Sequence, residues 1–158
     1  MAKGETLAKQ FEAKAQEATS VLEKLSDADW KKVTSAEKWS VGVTAHHIAV
    51  SHEIIAGLIK SVASGQASGP IAIDDIHAMN AKHSQEQAGC TKTDTLALHK
   101  KNVAAAASLV RGLDDAALGR SAVVLKGMPT MSAEQLTTRL LVGHIDEHLS
   151  SIRATVGA

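Results

Sequence analysis

The sequence has little of what three common protein classes require. It contains one cysteine, Cys90, which excludes an internal disulfide and any metal site built on cysteine pairs. Basic and acidic residues are equal in number, 17 of each, so the basic surface expected of a nucleic-acid-binding protein is missing. No run of about 18 apolar residues is present, which argues against a membrane-spanning helix. We therefore expect neither nucleic acid nor a membrane among its partners.

Residues that favour β-sheet are also scarce. Tyrosine is absent, and the aromatic residues are only Phe11, Trp30 and Trp39. Proline occurs twice, whereas alanine, the best helix former, is abundant. The N-terminal segment MAKGETLAKQ is polar and lacks the apolar core of a signal peptide. We expect a helical, cytoplasmic protein whose 158 residues form one domain, 1–158.

Four long stretches carry apolar residues at the three- and four-residue steps of an amphipathic helix. The spacing predicts helices over about 6–25, 40–65, 91–112 and 132–153. Ser40, Thr91 and Ser132 are suitable N-caps, and Ser132 with Gln135 has the spacing of a capping box. A shorter helix is predicted within residues 73–85, in the long connection between the second and third helices. These lengths predict an all-α four-helix bundle with a long crossover between helices 2 and 3.

Histidine is the residue that the composition has in excess, with eight copies. Two of them, His144 and His148, lie one turn apart in the segment LLVGHIDEHLSSIR. They share the apolar face of the last helix with Leu141, Ile145 and Leu149. Neighbouring imidazoles of this kind can bind one metal ion. They can equally be packing residues that hydrogen-bond to their neighbours, so the pair requires a third ligand to form a convincing site.

The second helix supplies a candidate third ligand. His47 follows Val43 by one turn, so it can point toward the core, whereas His46 lies about 100° away around the helix. His52 is off the face of His47, and we expect it to be solvated. We expect the same of His99, which is followed by two lysines on the third helix.

Three segments resemble the DinB-like superfamily, which includes YfiT-like and thiol-dependent transferase branches. They are KWSVGVTAHHIA, with Trp39 and His47 in the family's pattern, IDDIHAMNAKHS in the crossover, and GHIDEHLSSIR, with His144 and His148 in a His-x-x-x-His motif. The resemblance covers nearly the whole chain. It implies a four-helix bundle in which His47, His144 and His148 hold a divalent metal, with His46 beside the site.

A metal held by three neutral nitrogens keeps an open position, which is typical of catalytic sites. Zinc, nickel, iron or manganese can accept such ligands. We predict a metal-dependent enzyme that acts on a small molecule, as a thiol S-transferase or a hydrolase, with a low-molecular-weight thiol as a partner. Two alternatives stay open. One is a non-catalytic metal-binding or stress-response bundle, and the other is a structural bundle that forms a homodimer through a helix face.

Glu147 is the remaining candidate for a catalytic group. The segment HIDEH fits the pattern H-x-x-E-H, in which a glutamate acts as the base of a zinc protease. Such proteases draw a third ligand from well downstream, and this chain offers only ten residues after His148. A solvated surface position for Glu147 is the competing interpretation.

Overall fold

The structure, a computed structural model, describes all residues from 1 to 158 and is almost entirely helical. The elements are α1 (Lys3–Glu23), α2 (Asp27–Lys31), α3 (Val41–Ala63), α4 (Ile73–Glu86), α5 (Lys92–Arg111), α6 (Asp115–Gly119), β1 (Ser121–Ala122), β2 (Met131–Ser132), α7 (Ala133–Gln135), a π-helical segment (Leu136–Val142) and α8 (Gly143–Val156). The two short strands pair antiparallel, with Ser121 opposite Ser132. No helix is both long and apolar enough to cross a membrane.

Four long helices form the bundle: α1, α3, α5 and the continuous helix from α7 through the π segment to α8. The helix α4 occupies the connection between α3 and α5, so the predicted all-α bundle with a long crossover is confirmed. All three predicted N-caps are found in the structure. The hydroxyl groups of Ser40, Thr91 and Ser132 accept hydrogen bonds from backbone N–H groups three residues on, and Gln135 completes the capping box.

The core lies between α1, α3, α5 and the last helix. Helix α3 contacts α5 as well as α8 and the π segment, and α1 contacts the same three elements. Phe11 of α1, the only phenylalanine, has no exposed surface and meets the His52 ring edge-on at 5.3 Å between ring centroids. Other fully buried side chains are Leu22, Ile48, Ile59, Leu118, Leu136, Leu141, Ile145, Leu149 and Ile152. Helix α3 is therefore packed on several sides.

The π segment sets the phase of the last helix. In an α-helix, residues four apart share a face, whereas a π turn brings residues five apart into line. Leu136 and Leu141 are five apart and both fully buried, and Ile145 follows Leu141 at the ordinary step of four. The wider turn thus keeps one apolar face on the core up to the turn that carries His144. Helical periodicity in the sequence did not indicate this change.

The expectation that His52 and His99 are solvated is wrong, since each is only 1 % exposed. His99 lies on the buried face of α5, in line with Thr95 and Asn102. Its Nε2 donates to the carbonyl of Ala15 at 3.2 Å, so its Nδ1 accepts a hydrogen bond from His52 Nε2 at 3.0 Å. For His52, the error arose because only one face of α3 was expected to be buried, whereas the N-terminal half of this helix is buried on almost all sides.

Because His52 is buried, we expect the free energy of unfolding to decrease in acid. Burial, and secondarily the charge of His99, lowers the pKa of His52 to about 3, against 6.5 for an accessible imidazole. The unfolded chain therefore binds more protons below pH 6.5, and stability is lost as the pH falls toward the folded pKa. Between pH 6.5 and 4 the loss from this group is about 3 kcal/mol.

The variant His52→Gln keeps a side-chain N–H donor for His99 but has no proton to gain. We expect its free energy of unfolding, measured by urea denaturation, to fall less steeply than that of the wild type between pH 6.5 and 4. The control is His77→Gln, because His77 is exposed. We expect the free energy of unfolding of this variant to depend on pH as that of the wild type does. Equal slopes for wild type and His52→Gln would contradict this assignment.

Candidate metal centre

Three histidine rings converge between α3 and α8. The Nε2 atom of His144 lies 2.9 Å from Nε2 of His47 and 3.1 Å from Nε2 of His148. One ligand atom from each of the three residues lies within 4.8 Å of the other two. His47 and His148 are each 8 % exposed, and His144 is half-buried. The structure thus brings together the three residues that the sequence predicted as a set.

The proton positions in the cluster follow from Glu37. His148 Nδ1 lies 2.8 Å from Glu37 Oε1, and the carboxylate can only accept, so this nitrogen carries the proton. With Nδ1 bound to Glu37, Nε2 of His148 is the nitrogen that faces the other two rings. His144 Nδ1 is buried and has no hydrogen-bond partner. One Nε2 atom from each of the three rings therefore faces the cluster.

The surroundings keep two of these rings neutral. Burial, reinforced by the neighbouring His144, His148 and His83 rings, lowers the pKa of His47 to about 3. Burial, with His148 and His52 nearby, likewise lowers the pKa of His144 to about 3. Near neutral pH both rings are uncharged, which is the protonation state that binds a metal.

The residues fit a divalent metal. In four-coordinate zinc, bonds of about 2.0–2.1 Å place two ligand nitrogens about 3.3 Å apart, close to the separations found here. Three neutral imidazoles suit zinc, nickel and iron, while harder ions prefer oxygen. The unpartnered His144 Nδ1 does not take part, because Nε2 is the atom that faces the cluster.

The loop before α3 holds the carboxylate that sequence reasoning missed. It closes through hydrogen bonds between Thr34 and Trp39 and through Lys38, whose φ of 64° is in the left-handed region. Glu37 Oε2 accepts a hydrogen bond from Ser151 at 2.6 Å. Burial alone would raise the pKa of Glu37, but hydrogen bonds from Ser151, Thr34 and His148 hold that pKa below its ordinary value.

Trp39, in the same loop, packs on the cluster. Its ring lies 5.2 Å from that of His47, edge-on, and 6.5 Å from that of His148, stacked. Glu37 and Trp39 therefore fix the orientation of imidazoles from two different helices. The only signal for Glu37 in the sequence was a carboxylate two residues before Trp39, in a stretch with no helical period.

The other polar candidates lie outside the cluster. Glu147 is exposed on the outer face of α8, away from the converging nitrogens. His46 faces His83 of α4, with 2.8 Å between Nδ1 and Nε2, and takes no part in the three-histidine cluster. Cys90 lies in the loop between α4 and α5, where burial raises the pKa of its thiol.

Glu37 and Glu147 form a matched pair for mutagenesis. Carboxylates that orient a metal-binding histidine contribute about 10–100-fold to metal affinity. We expect Glu37→Gln to weaken zinc binding by that factor, measured by competition with a chelator, because the amide presents a poorer acceptor to His148. Glu147→Gln should bind zinc as the wild type does. Equal affinities for all three proteins would contradict the assigned role of Glu37.

Both the sequence and the fold of this chain are similar to those of known proteins. The sequence profile of the DinB superfamily matches residues 10–152. The crystal structure of the mycothiol-dependent maleylpyruvate isomerase superposes with a TM-score of 0.74 at 14 % identity, and that of a histidine-to-alanine variant with 0.75 at 12 %. Both comparisons cover 94 % of this chain but 60 % of the other, so this chain spans about 60 % of that enzyme's length. No curated protein matches the sequence. At this identity the structural likeness shows a common fold.

Proposed function

This chain belongs to the DinB superfamily, and on that premise we propose that it is a metal-dependent enzyme that transfers a low-molecular-weight thiol to a small molecule. The observation that carries the proposal is the convergence of three histidine Nε2 atoms beside a cavity, which His47 and His144 also line. His47, His144 and His148 would hold the metal. Three protein ligands with an accessible fourth position are typical of catalytic zinc sites, and three histidines are one of the ligand sets found in them.

A bound divalent metal would lower the pKa of a thiol or water that reaches its open position and polarise a substrate oxygen. The chain's own groups prepare that position. Glu37 holds the proton of His148 on Nδ1, which leaves Nε2 free to bind. Trp39 covers two of the rings and limits their rotation. No carboxylate lies among the three nitrogens, so the net charge of a loaded centre would stay positive and attract a thiolate.

The nucleophile that we propose is a small-molecule thiol. Cys90 is outside the cluster and its thiol pKa is raised by burial, so a sulfur nucleophile has to be supplied by a small molecule. The similar fold of a mycothiol-dependent isomerase supports a thiol co-substrate, although this chain covers only part of that enzyme. Hydrolysis at the same centre is the outcome that the experiment separates.

The experiment uses the purified chain loaded separately with zinc, nickel, iron(II) or manganese. Mycothiol, glutathione and cysteine are offered with 1-chloro-2,4-dinitrobenzene, and 4-nitrophenyl acetate tests hydrolysis. We expect metal-dependent consumption of a thiol, lost in His47→Ala. Ester cleavage without thiol consumption would replace transfer by hydrolysis. A metal-bound protein with neither activity above the His47→Ala background would favour the non-catalytic bundle.

A further inference from the structure

The cavity beside the three histidines extends along α3 between this helix and α4. It has a volume of about 260 Å³, just below the range of typical ligand pockets, which suits a compound smaller than a drug molecule. His47, Ile54 and Leu58 line it at steps of seven and four residues, so they follow one face of α3 over about 16 Å. The cavity therefore begins at the candidate metal centre and continues away from it.

Its polar groups gather at the histidine end. Ser51 follows His47 by one helical turn, and Asn80 and His83 lie one turn apart on α4. The rings of His47 and His83 are 5.8 Å apart between centroids, and His83 Nδ1 is buried without a partner. The side chains that could hydrogen-bond to a polar substituent of a ligand therefore lie at this end.

The rest of the cavity is hydrocarbon. Ten of the fifteen lining residues are hydrophobic, and none is Asp, Glu, Lys or Arg. The far wall is built by Ile71 and the segment after α6, joined by hydrogen bonds from Ile71 N–H to Val124 O at 2.8 Å and from Lys126 N–H to Ile71 O at 2.9 Å. A carboxylate or ammonium group placed there would lose part of its hydration and would find no charged side chain as a partner.

We infer that the small-molecule substrate is an uncharged, largely hydrocarbon compound whose polar reactive group lies at the histidine end. This inference rests on the proposed function. Its apolar body packs between Ile54 and Leu58 of α3 and Ile76 and Met79 of α4. Helix α4 has no fully buried residue, so part of its apolar face stays uncovered until such a body fills the cavity. The cavity thus selects against multiply charged substrates.

Binding of simple alcohols to the full, metal-loaded chain tests this inference. Butan-1-ol, hexan-1-ol and pentane-1,5-diol are titrated while the isoleucine methyl signals are followed by NMR. Each buried methylene is expected to tighten binding about fourfold, so hexan-1-ol, with two more methylenes, should bind about 15-fold more tightly than butan-1-ol. Pentane-1,5-diol has the same number of heavy atoms as hexan-1-ol but a second polar end, and should bind far more weakly.

Two methionine variants provide the matched comparison. Met79 is 47 % exposed and lines the cavity, whereas Met128 is 54 % exposed and lies outside it. Because both side chains are about half exposed, we expect each variant to fold, which circular dichroism checks. Met79→Glu should weaken hexan-1-ol binding by about tenfold, and Met128→Glu should leave it unchanged.

The same preparations are analysed for bound metal, which separates the two proposals. Metal-loaded protein that binds the diol as tightly as hexan-1-ol, or that is insensitive to Met79→Glu, would overturn the inference and leave the proposed function standing. Protein that shows the expected order of alcohols but binds no divalent metal would overturn the proposed function, and with it the assignment of the cavity to a substrate.

Discussion

Replacing His144 with alanine is expected to lower the affinity of the chain for zinc by more than about 100-fold. Carboxylates that merely orient a ligand contribute about 10–100-fold, and His144 supplies the nitrogen that lies closest to both of the others, at 2.9 and 3.1 Å. Without it, His47 and His148 remain as a two-nitrogen site on different helices. Zinc affinity is measured by chelator competition with tag-free protein.

The control for this variant is His77→Ala. His77 is exposed on α4 and is not part of the cluster, so zinc binding should be unchanged. The His144→Ala protein should also keep its far-ultraviolet circular dichroism, because the removed ring has an unpartnered Nδ1 and no backbone hydrogen bond. Wild-type zinc affinity in a folded His144→Ala protein would rule out the three-histidine centre.

Replacing Phe11 with alanine is expected to reduce the free energy of unfolding by about 3–5 kcal/mol. The ring has no exposed surface, and its removal leaves a cavity beside the buried His52. A domain of this size has a total stability of about 5–15 kcal/mol, so the variant would lose a large share of it. The loss is measured by urea denaturation followed by circular dichroism.

Met128→Ala is the comparison for that measurement. Its side chain is 54 % exposed in the loop between the two short strands, and surface substitutions of this kind change stability by about 0.5 kcal/mol or less. If Phe11→Ala were no more destabilising than Met128→Ala, Phe11 could not be at the centre of the core.

Helix starts and the histidine triad could be predicted because both depend on residues close together in the chain or on one helical face. Ser40 and Ser132 begin helices through hydrogen bonds spanning three residues. His144 and His148 are one turn apart, and His47 shares a face with Val43 on α3. The predicted convergence of the three rings is found, while bound metal, cytoplasmic location and a homodimer stay predictions.

The features that the sequence did not predict depend on contacts between residues far apart in the chain. Glu37 reaches His148 across 111 positions, from a loop without periodicity. His52 was expected in solvent because it lies off the face of His47, and His99 because two lysines follow it, yet the two rings hydrogen-bond to each other inside the bundle. The π segment shifts the face of the last helix by one residue, and a pattern of apolar residues does not distinguish five-residue from four-residue steps over a single turn.

The cavity along α3 was also beyond sequence reasoning. Its walls come from α3, α4, the segment after α6 and the π segment. The pairing of Ile71 with the residues around Leu125 joins two loops that are more than fifty positions apart. Such pairings depend on how the whole chain packs, so no local sequence pattern predicts them.

Anomalous X-ray diffraction from crystals of zinc-loaded protein would locate the metal relative to the three histidines. We expect one strong peak per chain at the zinc edge, within bonding distance of the Nε2 atoms of His47, His144 and His148. Absence of a peak there, or a peak bound instead by His46 and His83, would contradict it.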